Sequence, residues 1–175
     1  FDQNNLEIKK KIEKKLKFNF EKKKKSKIKL GYFSADLRSH AMGHLMIKML
    51  ELHNRDKFEL HAFYFGPNIL NEDSIHKRML NCFDSFNNIK ILSNEEAAKL
   101  SRKLEIDIAI DCMGFTGNEN KFGVFLNNAA PIQINYLGYP GTLGSECIDY
   151  IVADKTLIPQ DEQNNYSEKI IYLPD

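Results

Sequence analysis

The sequence has no tryptophan, only five prolines and only three cysteines in 175 residues. Cys82, Cys112 and Cys147 form no CxxC pair and match no zinc-ligand spacing. Their odd number argues against a disulfide framework and points to a reducing, cytoplasmic setting. No apolar run approaches the roughly 18–20 residues that a membrane helix needs. The N-terminal stretch is polar and then lysine-rich, which is not the form of a signal peptide. Neither the GxGxxG of a dinucleotide enzyme nor the GxxxxGK[ST] of a P-loop occurs, so nicotinamide chemistry and ATP hydrolysis lose their sequence markers.

What is present fits one globular domain, 42% apolar and 28% charged. The first residue is Phe1, and the last apolar run ends in Pro174 and Asp175; both ends read as cuts in a longer chain. The net charge of +1 hides a split: residues 1–30 hold twelve lysines against four acids, about +8, which leaves about −7 for the rest. Within that basic stretch Leu6, Ile8, Ile12 and Leu16 stand at loosely helical spacing, so residues 1–26 read as a basic helical linker. Nucleic-acid binding through the lysines is the alternative, but no stacking aromatics or groove-reading motif accompany them.

From Lys27 onward short apolar runs alternate with helix-like stretches. Strands are expected at Ile28–Phe33, Phe58–Phe65, Ile89–Leu92, Ile106–Ile110, Ile132–Leu137, Tyr150–Ala153 and Ile170–Leu173. Helices are expected over His44–His53, with Leu45, Met49 and Leu52 as the apolar stripe, and over Asp73–Cys82. Two more follow: one after the Ser93/Glu96 capping box, burying Ala97, Leu100 and Leu104, and one near Lys121–Asn128. The alternation implies right-handed βαβ crossovers, hence an α/β fold with a mainly parallel, doubly wound sheet over residues 27–175. Ligands in such sheets bind beyond the carboxyl ends of the strands. That directs attention to three loops: Ser34–Gly43, Asp111–Asn118 and Gly138–Gly144.

The first loop gathers Asp36, Arg38, His40 and His44 within nine residues. His40 falls at a helix start, where an imidazole can exchange a proton near neutral pH, and Asp36 is close enough to orient it. The bland alternative is that Asp36 caps a turn and His40 faces water. His44 reads as a hydrogen-bonded structural histidine. In the second loop, two glycines flank Phe115 and Thr116; this suits close approach to a ligand, or a tight turn with Thr116 or Asn118 as helix cap. The third, Leu137-Gly138-Tyr139-Pro140-Gly141-Thr142-Leu143-Gly144, suits either an oxyanion cradle of backbone N–H groups or a plain turn.

These segments, in this order, resemble the catalytic domain of the O-GlcNAc transferase family, including its bacterial and SPINDLY-like members. The likeness begins with KIKLGYFSADLRSHAMGHLM and runs through IDIAIDCMGFTGNEN. It is most specific at APIQINYLGYPGTLGSECIDYIVAD and continues into YSEKIIYLP. It implies the N-terminal Rossmann-like lobe of a two-lobed GT-B glycosyltransferase, metal-independent and inverting, with tetratricopeptide repeats upstream. The implied activity is transfer of a sugar, GlcNAc from UDP-GlcNAc, to Ser or Thr of a protein acceptor. Other donors in the family (GDP-fucose or UDP-glucose) and a non-catalytic protein-interaction module remain alternatives. By position, Asp36 and His40 match the family's active-site Asp and His, candidates for proton relay and general base. Leu137, Gly138 and Pro140 match positions lining the nucleotide-sugar site, and Phe115 and Thr116 match the Gly-aromatic-Thr turn of the same cleft. Around His40 the sequence has Leu-Arg-Ser and Ala-Met-Gly where animal members have Phe-Gly-Asn and Pro-Thr-Ser, closer to the bacterial style. The resemblance also implies that a second, donor-holding lobe lies elsewhere in the intact protein, and that this lobe alone is inactive.

Overall fold

A computed structural model describes residues 26–68, 73–117 and 120–174. The helix expected within residues 1–26 and the alternative cap Asn118 lie outside the described residues. The described residues form one seven-stranded, all-parallel sheet in the order β3-β2-β1-β4-β5-β6-β7. The strands are β1 (Ile28–Ser34), β2 (Phe58–Tyr64), β3 (Ser85–Asn88), β4 (Ile108–Asp111), β5 (Ile132–Tyr136), β6 (Tyr150–Ala153) and β7 (Lys169–Tyr172). Among the described residues four α-helices lie between them: α1 (Ala41–Glu51), α2 (Ser74–Cys82), α3 (Asn94–Lys103) and α4 (Gly123–Leu126).

The β1 and β2 side chains are buried beyond their first two positions, as a sheet covered on both faces requires. On one face, Met46, Ile47 and Leu50 of α1 and Ile75 and Met79 of α2 meet Tyr32, Leu60 and Ile110. On the other, Ala97 and Ala98 of α3 and Val124 and Phe125 of α4 cover Phe33, Phe63 and Ala109. Phe33 and Phe63 stack with centroids 4.2 Å apart at the centre of that face. The doubly wound parallel sheet expected from the alternation is present. Its order reverses between β1 and β4, so the loops after these two strands leave in opposite directions and open a crevice.

Several local expectations need correction. Helix α1 buries Gly43, Met46, Ile47 and Leu50, while Leu45 and Leu52 are exposed. The buried stripe includes a glycine, which an apolar count passes over. A Cβ at Gly43 would lie 1.9 Å from the Arg38 carbonyl oxygen, so the close approach of α1 to the preceding loop requires glycine there. The third strand is Ser85–Asn88, not Ile89–Leu92. It is a polar edge strand, with Asn87 Nδ2 donating to Ala62 O at 3.0 Å, whereas Ile89 is buried from a turn that Lys90 N–H closes on Asn88 Oδ1. The fourth strand starts later than Ile106, and the helix expected over Lys121–Asn128 is the single turn α4. The Ser93/Glu96 capping box forms as expected: Glu96 N–H donates to Ser93 Oγ at 3.2 Å, and Ser93 N–H to Glu96 Oε2 at 2.8 Å. Ala97 is fully buried, and Leu100 and Leu104 pack partly buried on the same cluster.

Candidate active site

A cleft of about 420 Å³ opens beyond the carboxyl ends of β1 and β4, where the strand order reverses. Ala35, Asp36, Arg38, His40 and Met42 form one wall, and Met113, Thr116, Gly117 and Gly138 line the rest with Pro67. Three loops far apart in sequence therefore converge because their parent strands are neighbours.

His40 is the N-cap of α1. Its extended backbone turns the imidazole back, and Nδ1 accepts the Met42 N–H at 3.3 Å. The same Nδ1 lies 3.5 Å from Asp36 Oδ2. These two contacts require different tautomers. With Nδ1 unprotonated, the ring caps the helix and carries its proton on Nε2. With Nδ1–H directed to Asp36, Nε2 is free to take a proton. Asp36 is largely buried, and its other oxygen, Oδ1, accepts from Arg38 at 3.2 Å. Arg38, Asp36 and His40 thus form a continuous chain of polar contacts on one wall, with the imidazole as its most exposed member. Geometrically it can orient an imidazole and accept a proton from a hydroxyl brought to Nε2.

Two residues from α2 hold this loop in place. Asp73, the N-cap of α2, accepts the Ser39 N–H at 2.7 Å while also accepting that of His76 at 2.9 Å. Partial desolvation acts upward on the Asp73 carboxyl, but the N–H donors of Ser39, His76 and Ile75 outweigh it and keep the group below its ordinary range. His76 Nδ1 lies 2.8 Å from Leu37 O. The sequence contains no linear signal for either tie, because both partners lie more than thirty residues from the loop. His44 bonds Ser39 Oγ at 3.4 Å and is exposed, away from the cleft lining.

The glycine loop after β5 spends part of its backbone N–H groups on holding its own shape. The N–H groups of Gly138, Leu143 and Gly144 are already taken by Tyr136 O, Glu168 Oε1 and Thr142 Oγ1. Buried Glu168 acts as an internal clamp, also accepting from the Thr142 hydroxyl at 2.7 Å. Leu137 sits at φ +68°, a conformation that costs a β-carbon-bearing residue about 1–2 kcal/mol. A Cβ at Gly138 would lie 1.9 Å from Cys112 O, so this strained turn is pressed onto the end of β4. Thr116 is not a helix cap; its hydroxyl donates to Met113 O at 2.6 Å.

The structure therefore brings Asp36, His40, Thr116 and Gly138 together on the cleft lining. Phe115, Leu137 and Pro140 are exposed alongside it, not on its lining. Phe115 packs edge-on against Tyr139 at 5.6 Å and Phe122 at 5.1 Å. Met113 and Pro67 were not singled out by the sequence, and Arg38 was noted in the histidine loop without a role of its own. Among the described residues no group of three or more His, Cys, Asp or Glu side chains is arranged to hold a metal ion.

With this geometry in view, comparison with known proteins is decisive. The sequence profile of glycosyl transferase family 41 matches residues 3–175. The chain belongs to glycosyl transferase family 41. Among its curated relatives, the probable UDP-N-acetylglucosamine–peptide N-acetylglucosaminyltransferase SEC of Arabidopsis thaliana is 32% identical over 149 residues, covering 85% of this chain and 15% of that protein. The corresponding enzyme of Caenorhabditis elegans is 31% identical over 150 residues, 85% of this chain and 13% of that protein. A solved mutant of the Thermobaculum terrenum O-GlcNAc transferase superposes with a TM-score of 0.77 at 26% identity, over 84% of this chain and 28% of that one. The chain thus spans about a seventh of the length of these curated relatives. As a family 41 chain with this sheet, it is the Rossmann-like N-terminal lobe of a GT-B catalytic domain, as the resemblance implied.

Proposed function

We propose that the intact family 41 protein transfers a sugar, GlcNAc from UDP-GlcNAc, to Ser or Thr hydroxyls of protein acceptors, and that this lobe supplies the acceptor-side groups. The observation that carries the reading is the Asp36–His40 pair in the cleft at the strand-order reversal, in a chain whose relatives are peptide N-acetylglucosaminyltransferases.

In the proposed reaction the acceptor hydroxyl oxygen attacks the anomeric carbon from the face opposite the departing nucleoside diphosphate. The carbon–oxygen bond to the acceptor forms as that to the diphosphate breaks, so configuration inverts. The hydroxyl proton passes to His40 Nε2. For this, Nδ1 must carry its proton toward Asp36, and the Met42 N–H gives up its acceptor on the imidazole. Arg38 holds Asp36 in place through its 3.2 Å contact with Oδ1. The reading needs neither metal nor cofactor: a cationic second lobe would stabilise the leaving diphosphate. Gly138 and Thr116 would contact the donor from the lining, with Leu137, Pro140 and Phe115 at its edge. Residues 1–26 would then link residues 27–175 to upstream tetratricopeptide repeats in a cytoplasmic protein. Among the described residues no helix is long and apolar enough to cross a membrane.

The test is to incubate the intact protein with UDP-GlcNAc and a Ser/Thr-containing protein acceptor and measure the acceptor mass. A gain of one N-acetylhexosamine is expected. Transfer only from GDP-fucose or UDP-glucose would replace the donor assignment, and no transfer from any of the three would overturn the reading in favour of an interaction module.

A further inference from the structure

Asp111 ends β4 directly beneath the cleft and is 2% exposed. Its Oδ1 accepts the N–H groups of Met113 at 2.9 Å and Gly114 at 3.0 Å, which shapes the turn that carries Phe115 and Thr116. Its Oδ2 is buried and has no partner among the described residues. The residue in register with it on β5 is Asn135, fully buried. Asn135 Nδ2 donates to Tyr139 O at 3.0 Å and Gly141 O at 3.3 Å, tying down the glycine loop. Its Oδ1 is likewise buried and unpartnered among the described residues.

In-register residues of paired parallel strands point to the same face, with backbones about 4.8 Å apart. The amide cannot be turned to resolve the conflict. Two carbonyls require the Asn135 N–H groups, and a flipped amide would set oxygen against both. Two buried acceptors on in-register residues of one sheet face thus have no donor among the described residues, unless one of them carries a proton. Only the carboxyl can.

We propose that Asp111 is a neutral carboxylic acid whose Oδ2–H donates to Asn135 Oδ1, and that this bond pins the Phe115–Thr116 turn to the Leu137–Gly141 loop. One carboxyl then uses all its hydrogen-bonding directions, and both loops hang from a single inter-strand bond. Burial works in the same direction, pushing the Asp111 carboxyl up against the opposing pull of the Gly114 and Met113 N–H donors. The titratable neighbours that bear on it are the thiols of Cys112, the next residue in the chain, and Cys147, ahead of β6; burial raises both, Cys147 to about 11. The β1 partner facing it, Phe33, is not titratable. As a positioning residue for the cleft, Asp111 rests on the proposed function; its protonation state does not.

Infrared spectra of the intact protein at neutral pH decide the chemical claim. A protonated-carboxyl C=O band is expected that shifts on 13C labelling of aspartate and vanishes in Asp111→Asn. Absence of an aspartic-acid band, as a water-bridged carboxylate would give, overturns the proposal without touching the functional reading. For the positioning claim, UDP-GlcNAc affinity is compared between Asp111→Asn and Asp111→Ala. Asparagine can make the same three bonds, so it is expected to bind at least tenfold more tightly than alanine, and to lack any alkaline loss of binding that Asp111 imposes on the wild type. Equal affinity in the two variants, or the same alkaline loss in Asp111→Asn, removes Asp111 from a positioning role. If the wild type bears the band but binds no nucleotide sugar, the functional reading falls and the neutral pin stands.

Discussion

His40 combines two occupations that compete for one nitrogen. As helix cap it needs Nδ1 as an acceptor for Met42 N–H, and as base it needs Nδ1–H toward Asp36. The two contacts, at 3.3 and 3.5 Å, are both long for hydrogen bonds, so neither locks the ring. Asp111 shows the opposite design, a side chain fixed from several directions. Its charge state makes a stability prediction with a definite sign. The folded carboxyl lies above its ordinary value of 3.8, so its contribution is fully present below that pH and is lost as pH rises toward the folded value. Asp111→Asn removes this dependence. Urea denaturation of the two proteins over a pH series should show the variant gaining on the wild type by about 1.4 kcal/mol per pH unit through that window. A constant difference would mean that Asp111 titrates normally in the fold. The sequence marked the histidine loop because an acid and an imidazole stood together in it. It could not mark Asp111, which looks like any residue closing a strand until its register partner is known.

The helix α2 acts on the cleft from a distance. Its cap Asp73 holds the Ser39 N–H beside His40, and His76 one turn on holds Leu37 O. Asp73→Ala should cost about 1 kcal/mol of stability as a lost cap, and in addition slow transfer by releasing the His40 loop. Asp73→Asn, which caps a helix about as well, should recover the stability. Denaturation and turnover measured on both variants check this; a stability loss with no change in turnover would make the tie purely structural. At this scale, elements with strong local chemistry were legible. Ser93 with Glu96 announced α3, and the β-branched run Ile106–Ile110 announced β4, which starts two residues later and ends one residue later. The polar edge strand Ser85–Asn88 was not legible, because its side chains are satisfied by β2 neighbours instead of by burial. The α1 face was misread because Gly43, its closest contact, has no side chain to count.

For the whole molecule, strand order assembles the cleft. Seven parallel strands in the sequence 3-2-1-4-5-6-7 put the loops after β1, β4 and β5 at one edge. Alternating apolar runs made the parallel sheet and these three loops legible in advance. The strand order, and so the convergence on a single cleft, follows from pairings between distant residues that no local pattern encodes. In the glycine loop the N–H groups of Gly138, Leu143 and Gly144 are spent on Tyr136, Glu168 and Thr142, which fixes its shape against the end of β4. The proton-transfer chemistry of the proposed function falls to the Asp36–His40 wall. The most direct measurement of that claim is the transfer rate of the intact protein with His40→Ala, at saturating UDP-GlcNAc and acceptor. The rate should fall roughly 10²–10⁴-fold, the range for a lost general base, while UDP-GlcNAc affinity stays within a few-fold. A variant that transfers at the wild-type rate would contradict the account.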